Sequence, residues 1–186
     1  MSRVLAPRPL VAILALCALL ALPAAADAKR KRGPACANAH VAPAAGNLEL
    51  VRTAVLCLHN RERTARGLPK LTEHADLRSA AEDHARHMVQ ARFFAHDAPG
   101  GADMVDRILG AGYADGQGWS LGENIAWATG GLATAAAVHR TWMRSPGHKA
   151  NILRRQFREI GIGIALGAPV DADGGATYAA DFGVRR

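Results

Sequence analysis

The sequence predicts an α+β fold in which helices occupy the first two-thirds of the chain and strands follow at the end. Apolar residues recur every three or four positions between Leu48 and Trp142, which is the spacing of amphipathic helices. After residue 159, large and small residues alternate instead, which is the period of a strand. Helices followed by strands in a chain of 186 residues indicate one domain with helices packed on a small sheet.

The N-terminus has the organisation of a secretory signal peptide. Arg3 and Arg8 precede an uncharged apolar run from Leu10 to Leu22, and Ala26-Asp27-Ala28 is a small-residue cleavage site. The run is too short to span a bilayer as a helix, which takes about 20 apolar residues. Residues 1–28 are therefore predicted to be removed on export. The mature chain is expected to be secreted, extracellular or in the cell envelope, without a transmembrane anchor.

Residues 29–46 form a basic, Ala/Pro-rich N-terminal segment, and residues 47–186 form the predicted domain. The run Lys29-Arg30-Lys31-Arg32 supplies part of the formal net charge of +7. Such a tail could contact lipid headgroups or anionic cell-wall polymers, or it could be solvated without a partner. Nucleic acid is not an expected partner, because an exported chain with few aromatic residues lacks a stacking platform.

Cysteine usage indicates one disulfide. Cys17 lies within the predicted signal peptide, so Cys36 and Cys57 are the cysteines of the mature chain. An even count in an oxidising compartment favours a bridge between them over a free reactive thiol. The bridge would tie the N-terminal segment to the first helix and stabilise the folded chain by about 3 kcal/mol in the chain-entropy model.

Capping signals and periodicity place four helices and a short helical turn. Asn47 is a suitable N-cap for the first helix, and Gly67 ends it. Pro146 ends the fourth helix, because the residue before a proline avoids the helical region. The other predicted spans are 72–91 for the second helix, 103–109 for the third, 132–144 for the fourth and 149–155 for the turn. A glycine-rich surface loop is predicted over 110–122.

The last third of the chain predicts an antiparallel hairpin. Its first strand alternates Ile160, Ile162 and Ile164 with Gly161 and Gly163. The glycine face indicates that another element packs closely against it. Residues 171–175 form the expected turn, and the closing strand alternates Tyr178, Ala180 and Phe182. A further strand is expected between residues 122 and 128.

The eight histidines need separate interpretations. His84 lies on the apolar face of the second helix, where a core histidine satisfied by one hydrogen bond is the usual interpretation. A metal clip formed with His87 is the alternative. His59 is interpreted as a local hydrogen-bonding residue, and His74 and His139 as surface residues.

Three polar groups stand at element boundaries, where rigid scaffolds commonly present functional side chains. His96 follows the second helix, and Glu123 interrupts an otherwise apolar run. His148 follows the sharp turn that begins at Ser145. These positions are the candidates for a functional site.

Short motifs around these residues resemble the CAP superfamily, also called SCP-like, which includes cysteine-rich secretory proteins, insect antigen 5 and plant pathogenesis-related proteins. They occur in family order from about Leu48 to the end of the chain, and the bacterial branch is the most similar. The motifs are Asn60-Arg61-Glu62-Arg63, Phe93-Phe94-Ala95-His96, Gly122-Glu123-Asn124-Ile125-Ala126, Trp142-Met143-Arg144-Ser145-Pro146-Gly147-His148, Asn151-Ile152-Leu153, Gly161-Ile162-Gly163 and Phe182-Gly183.

The resemblance implies a three-layer α-β-α sandwich with a small antiparallel sheet between helices. It also implies a cleft, which in animal and plant relatives holds two histidines and two acids. By motif, the histidines match His96 and His148, and the first acid matches Glu123. The second acid is expected three residues after Trp142, where this chain has Ser145, as is usual in the bacterial branch.

The chemistry of these residues leaves two alternatives. His96 and His148 could ligate Zn²⁺ or another divalent cation, with Glu123 as a base or outer partner. Two protein ligands are fewer than the usual three and therefore predict a labile site. His96, Glu123 and His148 are the candidate catalytic residues, and Ser145 is the candidate nucleophile. The alternative is a hydrogen-bond network that only fixes the shape of the cleft.

The expected function is that of a secreted module that binds a lipid or a cell-wall component. The scarcity of nucleophiles and the basic tail favour this interpretation. The alternative is a hydrolase, either a protease or a cell-wall hydrolase, that uses a metal or histidine and glutamate as acid and base. Because the family is functionally diverse, the fold does not decide between these functions.

Overall fold

The computed structural model describes residues 35–114 and 118–185. The predicted signal peptide and the basic run at 29–32 lie outside the described residues. Five helices are described, α1 Leu48–Thr64, α2 Ala75–Gln90, α3 Met104–Gly110, α4 Ala135–Arg144 and α5 Pro146–Leu153. Four strands accompany them, β1 Thr72–Glu73, β2 Trp119–Ala128, β3 Glu159–Leu166 and β4 Ala176–Arg185. Over these residues, none of the helices has the length and apolar character needed to cross a bilayer.

The strands form one sheet in the order β1-β3-β4-β2. The predicted hairpin is confirmed, since β3 and β4 pair antiparallel with Ile162 opposite Ala180. The further strand expected near 122–128 is also present as β2, which pairs antiparallel with β4. The two residues of β1 add a parallel edge beside the start of β3.

One face of the sheet packs against α1 and α4. The alternating large residues of β3 and β4, among them Ile162, Tyr178 and Phe182, join the apolar faces of both helices in the largest core cluster. Trp142 of α4 is fully buried, and its indole N–H donates to the carbonyl oxygen of Ile125 over 3.0 Å. This bond fixes α4 against β2.

The other face packs against α2, and the glycines of β3 make this contact close. A Cβ atom built on Gly161 would lie 2.0 Å from the backbone carbon of Leu77, and one built on Gly163 would lie 2.2 Å from that of Ala81. The close packing expected on the glycine face is therefore present. Helices on both faces of a small sheet confirm the α-β-α sandwich.

Several predicted boundaries were wrong. The fourth helix begins at Ala135 instead of residue 132, and the turn predicted over 149–155 is the helix α5, which spans 146–153. The second helix begins at Ala75 instead of residue 72, because Thr72 and Glu73 pair with β3 and His74 is extended as the N-cap. The glycine-rich loop ends earlier than residue 122, because residues 119–122 already pair with β4. Pro146 ends α4 as predicted, and it also begins α5. Proline has no backbone N–H group, and the first turn of a helix does not need one for its hydrogen bonds.

The predicted disulfide is confirmed between Cys36 and Cys57, whose Cα atoms are 5.8 Å apart. It holds the N-terminal segment against α1. The backbone N–H of Ala136 donates to the carbonyl oxygen of Ala39 over 2.7 Å, which holds the same segment against the start of α4. The segment therefore lies against the middle of α1 and the start of α4.

Candidate functional site

Glu123 and His96 are in direct contact. Glu123 lies within β2 and is 5% exposed, whereas the imidazole of His96, in the loop after α2, is about half exposed. His96 Nδ1 is 2.6 Å from Glu123 Oε1. Because a carboxylate oxygen only accepts, this ring nitrogen carries the proton and Nε2 is the nitrogen available to a ligand. The hydrogen bond to Glu123 raises the pKa of His96 above its ordinary value.

Arg107 of α3 joins the same pair. Its Nη2 donates to Glu123 Oε2 over 2.7 Å, and its Nη1 donates to the carbonyl oxygen of His96 over 2.7 Å. Burial alone would raise the pKa of Glu123, but the His96 hydrogen bond and the charge of Arg107 outweigh it and lower that pKa. Glu123 is therefore a carboxylate with both oxygens engaged by cationic or proton-bearing groups.

Sequence reasoning missed Arg107. Its signal is weak, since one arginine on a seven-residue helix has no distinctive spacing. The helix itself is well started, because Asp103 and Asp106 form a capping box. The loop that runs from His96 to this capping box positions α3 and therefore the guanidinium group of Arg107. The course of this loop could not be predicted from the sequence.

His148 lies in the first turn of α5 and is half-buried. Its Nδ1 is buried and lacks a hydrogen-bond partner within the described parts of the chain. Burial lowers the pKa of His148, and the charge of His96 lowers it further. The carbonyl oxygen of His148 accepts a hydrogen bond from Asn124, the neighbour of Glu123 in β2, so His148 lies near the His96–Glu123 contact.

Two asparagines fasten α5 to β2 beside the site. Asn124 Nδ2 donates to the carbonyl oxygen of His148, and Asn151 Nδ2 donates to that of Glu123, each over 3.0 Å. Gly122 permits this approach, since a Cβ there would lie 3.0 Å from the ring of Phe157. Ser145, between α4 and α5, makes no capping hydrogen bond with its side chain among the described residues.

A shallow depression of about 260 Å³ opens at this site. His96 and Glu123 line it together with Asp97, Asp103 and the first residues of α3. His148 is not part of this lining, so it stands beside the depression rather than in it. The acids and the imidazole share this lining with the apolar side chains of Met104 and Val105.

The residues of this site offer few ligands for a metal ion. Residues 35–114 and 118–185 contain no cluster of three or more histidine, cysteine or acidic side chains arranged to hold a metal. Glu123 already accepts hydrogen bonds at both oxygens, so of the three predicted site residues only His96 and His148 remain as metal ligands. Two imidazoles fit a labile ion completed by water and not the three-ligand centre of a typical zinc enzyme.

His84 lies beneath the same carboxylate. It is 1% exposed, and its Nε2 donates to the carbonyl oxygen of Ala95 over 3.1 Å, as expected for a core histidine with one hydrogen bond. Its Nε2 is also 3.8 Å from Glu123 Oε2. Burial lowers the pKa of His84, so its ring is neutral beside Glu123.

A second, larger depression of about 440 Å³ lies between the N-terminal segment, α1 and α4. Its apolar floor includes Leu58, Ala136 and Met143, and its lining also contains the arginines Arg61, Arg140 and Arg144. No sequence motif predicted it. The N-terminal segment forms one wall through residues 35, 36, 39 and 40.

His139, at this second depression, was wrongly predicted to be a surface residue. It is 5% exposed, and its Nδ1 is 3.2 Å from Nδ1 of His59, which is completely buried. His59 is therefore a core residue against Trp142 and Phe182, and it also makes the predicted local hydrogen bond, to the backbone of Val55. Burial lowers the pKa of His139 to about 4, so the pair is neutral. His74 is half-buried, as the N-cap of α2.

Comparisons with known proteins found relatives in two species of Bacillus. The YkwD protein of Bacillus subtilis strain 168 is 33% identical over 109 residues, which are 59% of this chain and 40% of that protein. An extracellular protein containing an SCP domain from Bacillus anthracis strain Ames is 27% identical, with a TM-score of 0.58 over 76% of this chain and 41% of its own. The chain therefore spans about two-fifths of the length of these relatives.

An outer surface protein of Borrelia burgdorferi shares the fold over nearly its whole length. The TM-score is 0.62 at 19% identity, and the match covers 75% of this chain and 96% of that chain. The CAP family, described as the cysteine-rich secretory protein family, matches residues 56–178. This match covers about two-thirds of the sequence and includes His96, Glu123 and His148, so the chain belongs to the CAP family.

Proposed function

We propose that this protein is a secreted module that binds an anionic ligand with an apolar part, namely an acidic lipid or a cell-wall component. The observation that carries the proposal is the larger depression between α1, α4 and the N-terminal segment. Its volume of about 440 Å³ is within the range of small-molecule sites, and its floor is apolar.

The charges around this depression favour an anionic ligand. Arg61, Arg140 and Arg144 line it, and none of them forms an ion pair with another of the described residues. Glu62, the acid of the same lining, is paired with Arg66 instead. Unpaired guanidinium groups beside an apolar floor suit a ligand with a phosphate or carboxylate head and an apolar body.

Export of the chain is supported by three observations. The N-terminal sequence has the pattern of a signal peptide, and the domain carries a disulfide. The relative from Bacillus anthracis is described as extracellular, and that from Borrelia burgdorferi as an outer surface protein. A ligand found outside the cell is therefore the appropriate class to test.

The test is retention on anionic lipid vesicles and on purified cell-wall polymers at low salt. The variant Arg140→Gln/Arg144→Gln is compared with Arg86→Gln/Arg92→Gln, which removes the same charge from residues outside the lining. We expect the wild-type chain and the control variant to be retained and the first variant to be released. Absence of retention, or equal loss in both variants, would contradict the proposal.

The His96–Glu123 contact favours acid–base hydrolysis as a second candidate function. A histidine whose pKa is raised by a buried carboxylate can deliver a proton, and His148 or Ser145 would complete the site. Peptide, ester and peptidoglycan substrates should then be turned over by the wild-type chain and not by His148→Ala. Activity that persists unchanged in the variant would indicate a contaminant.

A divalent cation is a separate, compatible proposal for the same site. His96 and His148 would hold it, and a bound Zn²⁺ supplies Lewis acidity and a water molecule of lowered pKa. Calorimetric titration with Zn²⁺ should give heat for the wild-type chain and none for His96→Ala. Equal heats for the two proteins would place the ion elsewhere.

A further inference from the structure

Asp181 is a buried acid directly behind the candidate site. It lies in the middle of β4, opposite Glu123 of β2 on one side and Gly161 of β3 on the other. Residues directly opposite each other in antiparallel strands place their side chains on the same face. The face that carries Gly161 packs against Leu77 of α2, so both acids lie on the α2 side of the sheet.

The carboxyl group of Asp181 has no hydrogen-bond donor. It is completely buried, and neither oxygen accepts an N–H or O–H from any residue that the structure describes. The group beside it is the carboxyl group of Glu123, which lies directly opposite in the pairing of β2 with β4 and is itself an acceptor. Two carboxyl groups in such contact need one proton between them, because two ionised carboxylates repel each other.

Glu123 is the partner that stays ionised. Its two oxygens already accept from His96 Nδ1 and from Arg107 Nη2, and both contacts favour the charged form. Asp181 has no such contacts. The shared proton is therefore assigned to Asp181.

We propose that Asp181 is the second acid of the His96 site, held as a neutral carboxylic acid that donates its proton to Glu123. It replaces in part the acid that the family position of Ser145 lacks, but from a different strand and from beneath the site. Because it is covered by α2, it acts through Glu123 as a positioning residue. Its hydrogen bond fixes the carboxylate that in turn holds His96.

The charged and titratable groups around Asp181 support this protonation state. Glu123 of β2 and Arg107 of α3 act on Asp181 directly, and β3 places Gly161 opposite it. His84 of α2 and His96, in the loop after α2, lie next to Glu123. Burial raises the pKa of Asp181 well above its ordinary value, and the charge of Glu123 raises it further. Arg107 lowers it, but its guanidinium is already paired with Glu123.

The test compares the wild-type chain with Asp181→Asn by urea unfolding between pH 5 and pH 7.5. Asparagine has the shape of the neutral acid and can still donate to Glu123. In the wild-type chain, unfolding releases the Asp181 proton, since an exposed aspartate has a pKa of about 3.9. The folding constant of the wild type should therefore fall relative to that of the variant by up to about tenfold per pH unit. The buried histidines contribute a pH dependence of opposite sign to both proteins, and this contribution cancels in the ratio of the two folding constants.

The control is Asp173→Asn, the same substitution in the exposed turn between β3 and β4, which should not reproduce the pH-dependent ratio of Asp181→Asn. A pH-independent ratio for Asp181→Asn would overturn the proposal. If that variant does not fold, infrared spectroscopy of the wild-type chain at pH 7 is the test. The spectrum should contain the band of a protonated carboxyl group, and absence of this band would also overturn the proposal. Neither measurement uses a ligand, so its outcome is independent of the binding proposal.

Discussion

Arg63 of α1 is joined to the carbonyl oxygen of Phe157, just before β3, by a buried hydrogen bond of 2.9 Å. The same guanidinium also donates to the carbonyl oxygens of Pro69, Ile152 and Arg154. Its side chain is completely buried, although the charge has no acidic partner among the described residues. Arg63 is therefore a structural arginine that donates to carbonyl oxygens of the loop after α1 and of the stretch from the end of α5 to the start of β3.

Arg63→Met should destabilise the fold strongly. The substitution leaves several buried carbonyl oxygens without donors, and each such loss costs about 1–3 kcal/mol. We expect urea unfolding to show a loss of at least about 3 kcal/mol. Arg66→Met, which removes a partly exposed ion pair with Glu62, should cost less than about 1 kcal/mol. Equal losses would mean that the carbonyl network contributes little.

Removing the disulfide should weaken the attachment of the N-terminal segment. Cys36→Ala/Cys57→Ala frees the unfolded chain from its loop, so the melting temperature should fall, with a loss of about 3 kcal/mol in the chain-entropy model. Calorimetry of this variant and of the wild type in reductant should give similar melting temperatures. A variant as stable as the oxidised wild type would contradict this.

Gly161→Ala should be poorly tolerated. The added methyl group would meet the backbone of Leu77, which cannot move without displacing α2, and overpacking of this kind costs about 1–3 kcal/mol. Gly147→Ala is the matched control, because a Cβ there has no atom within 4 Å and the residue lies in α5. We expect the control to be neutral or slightly stabilising in thermal unfolding. Similar effects of both changes would argue against close packing of α2.

The titration of His96 should depend on Glu123. The hydrogen bond to Glu123 raises the pKa of His96, so Glu123→Gln should lower that pKa in an NMR titration. His139 lies on the other face of the sheet, and its pKa of about 4 should not change. Because a raised histidine pKa favours folding below the unfolded pKa of about 6.5, this contribution should fade as the pH rises through the folded value. A pKa of His96 that is the same in both proteins would contradict the contact.

Periodicity predicted the parts of the fold in which one pattern extends over several residues. The alternation of Ile160, Gly161 and their neighbours gave the hairpin, the face that packs on α2 and the location of the core. The two residues of β1 were not predicted, because two positions carry no periodicity and the pairing with β3 decides their conformation. The early start of β2 was not predicted either, because the neighbouring glycines are typical of a surface loop.

The candidate site was only partly visible in the sequence. Motif order led to His96, Glu123 and His148, and His96 does contact Glu123. Arg107 and Asp181 could not be found in this way, since their proximity to Glu123 depends on the path of α3 and on strand register. The sequence did contain one indication of Asp181. An acid on the same face of the sheet as Gly161 must be covered by the element that packs on that face.

The N-terminal segment links oxidation state to the larger depression. Cys36 belongs both to the disulfide and to the lining, and residues 39 and 40 continue the same wall. A chain whose thiols are still reduced lacks the covalent closure of that wall. The covalent closure of this wall is thus a property of the oxidised chain alone, so the oxidation state of two cysteines sets how firmly one side of the depression is held.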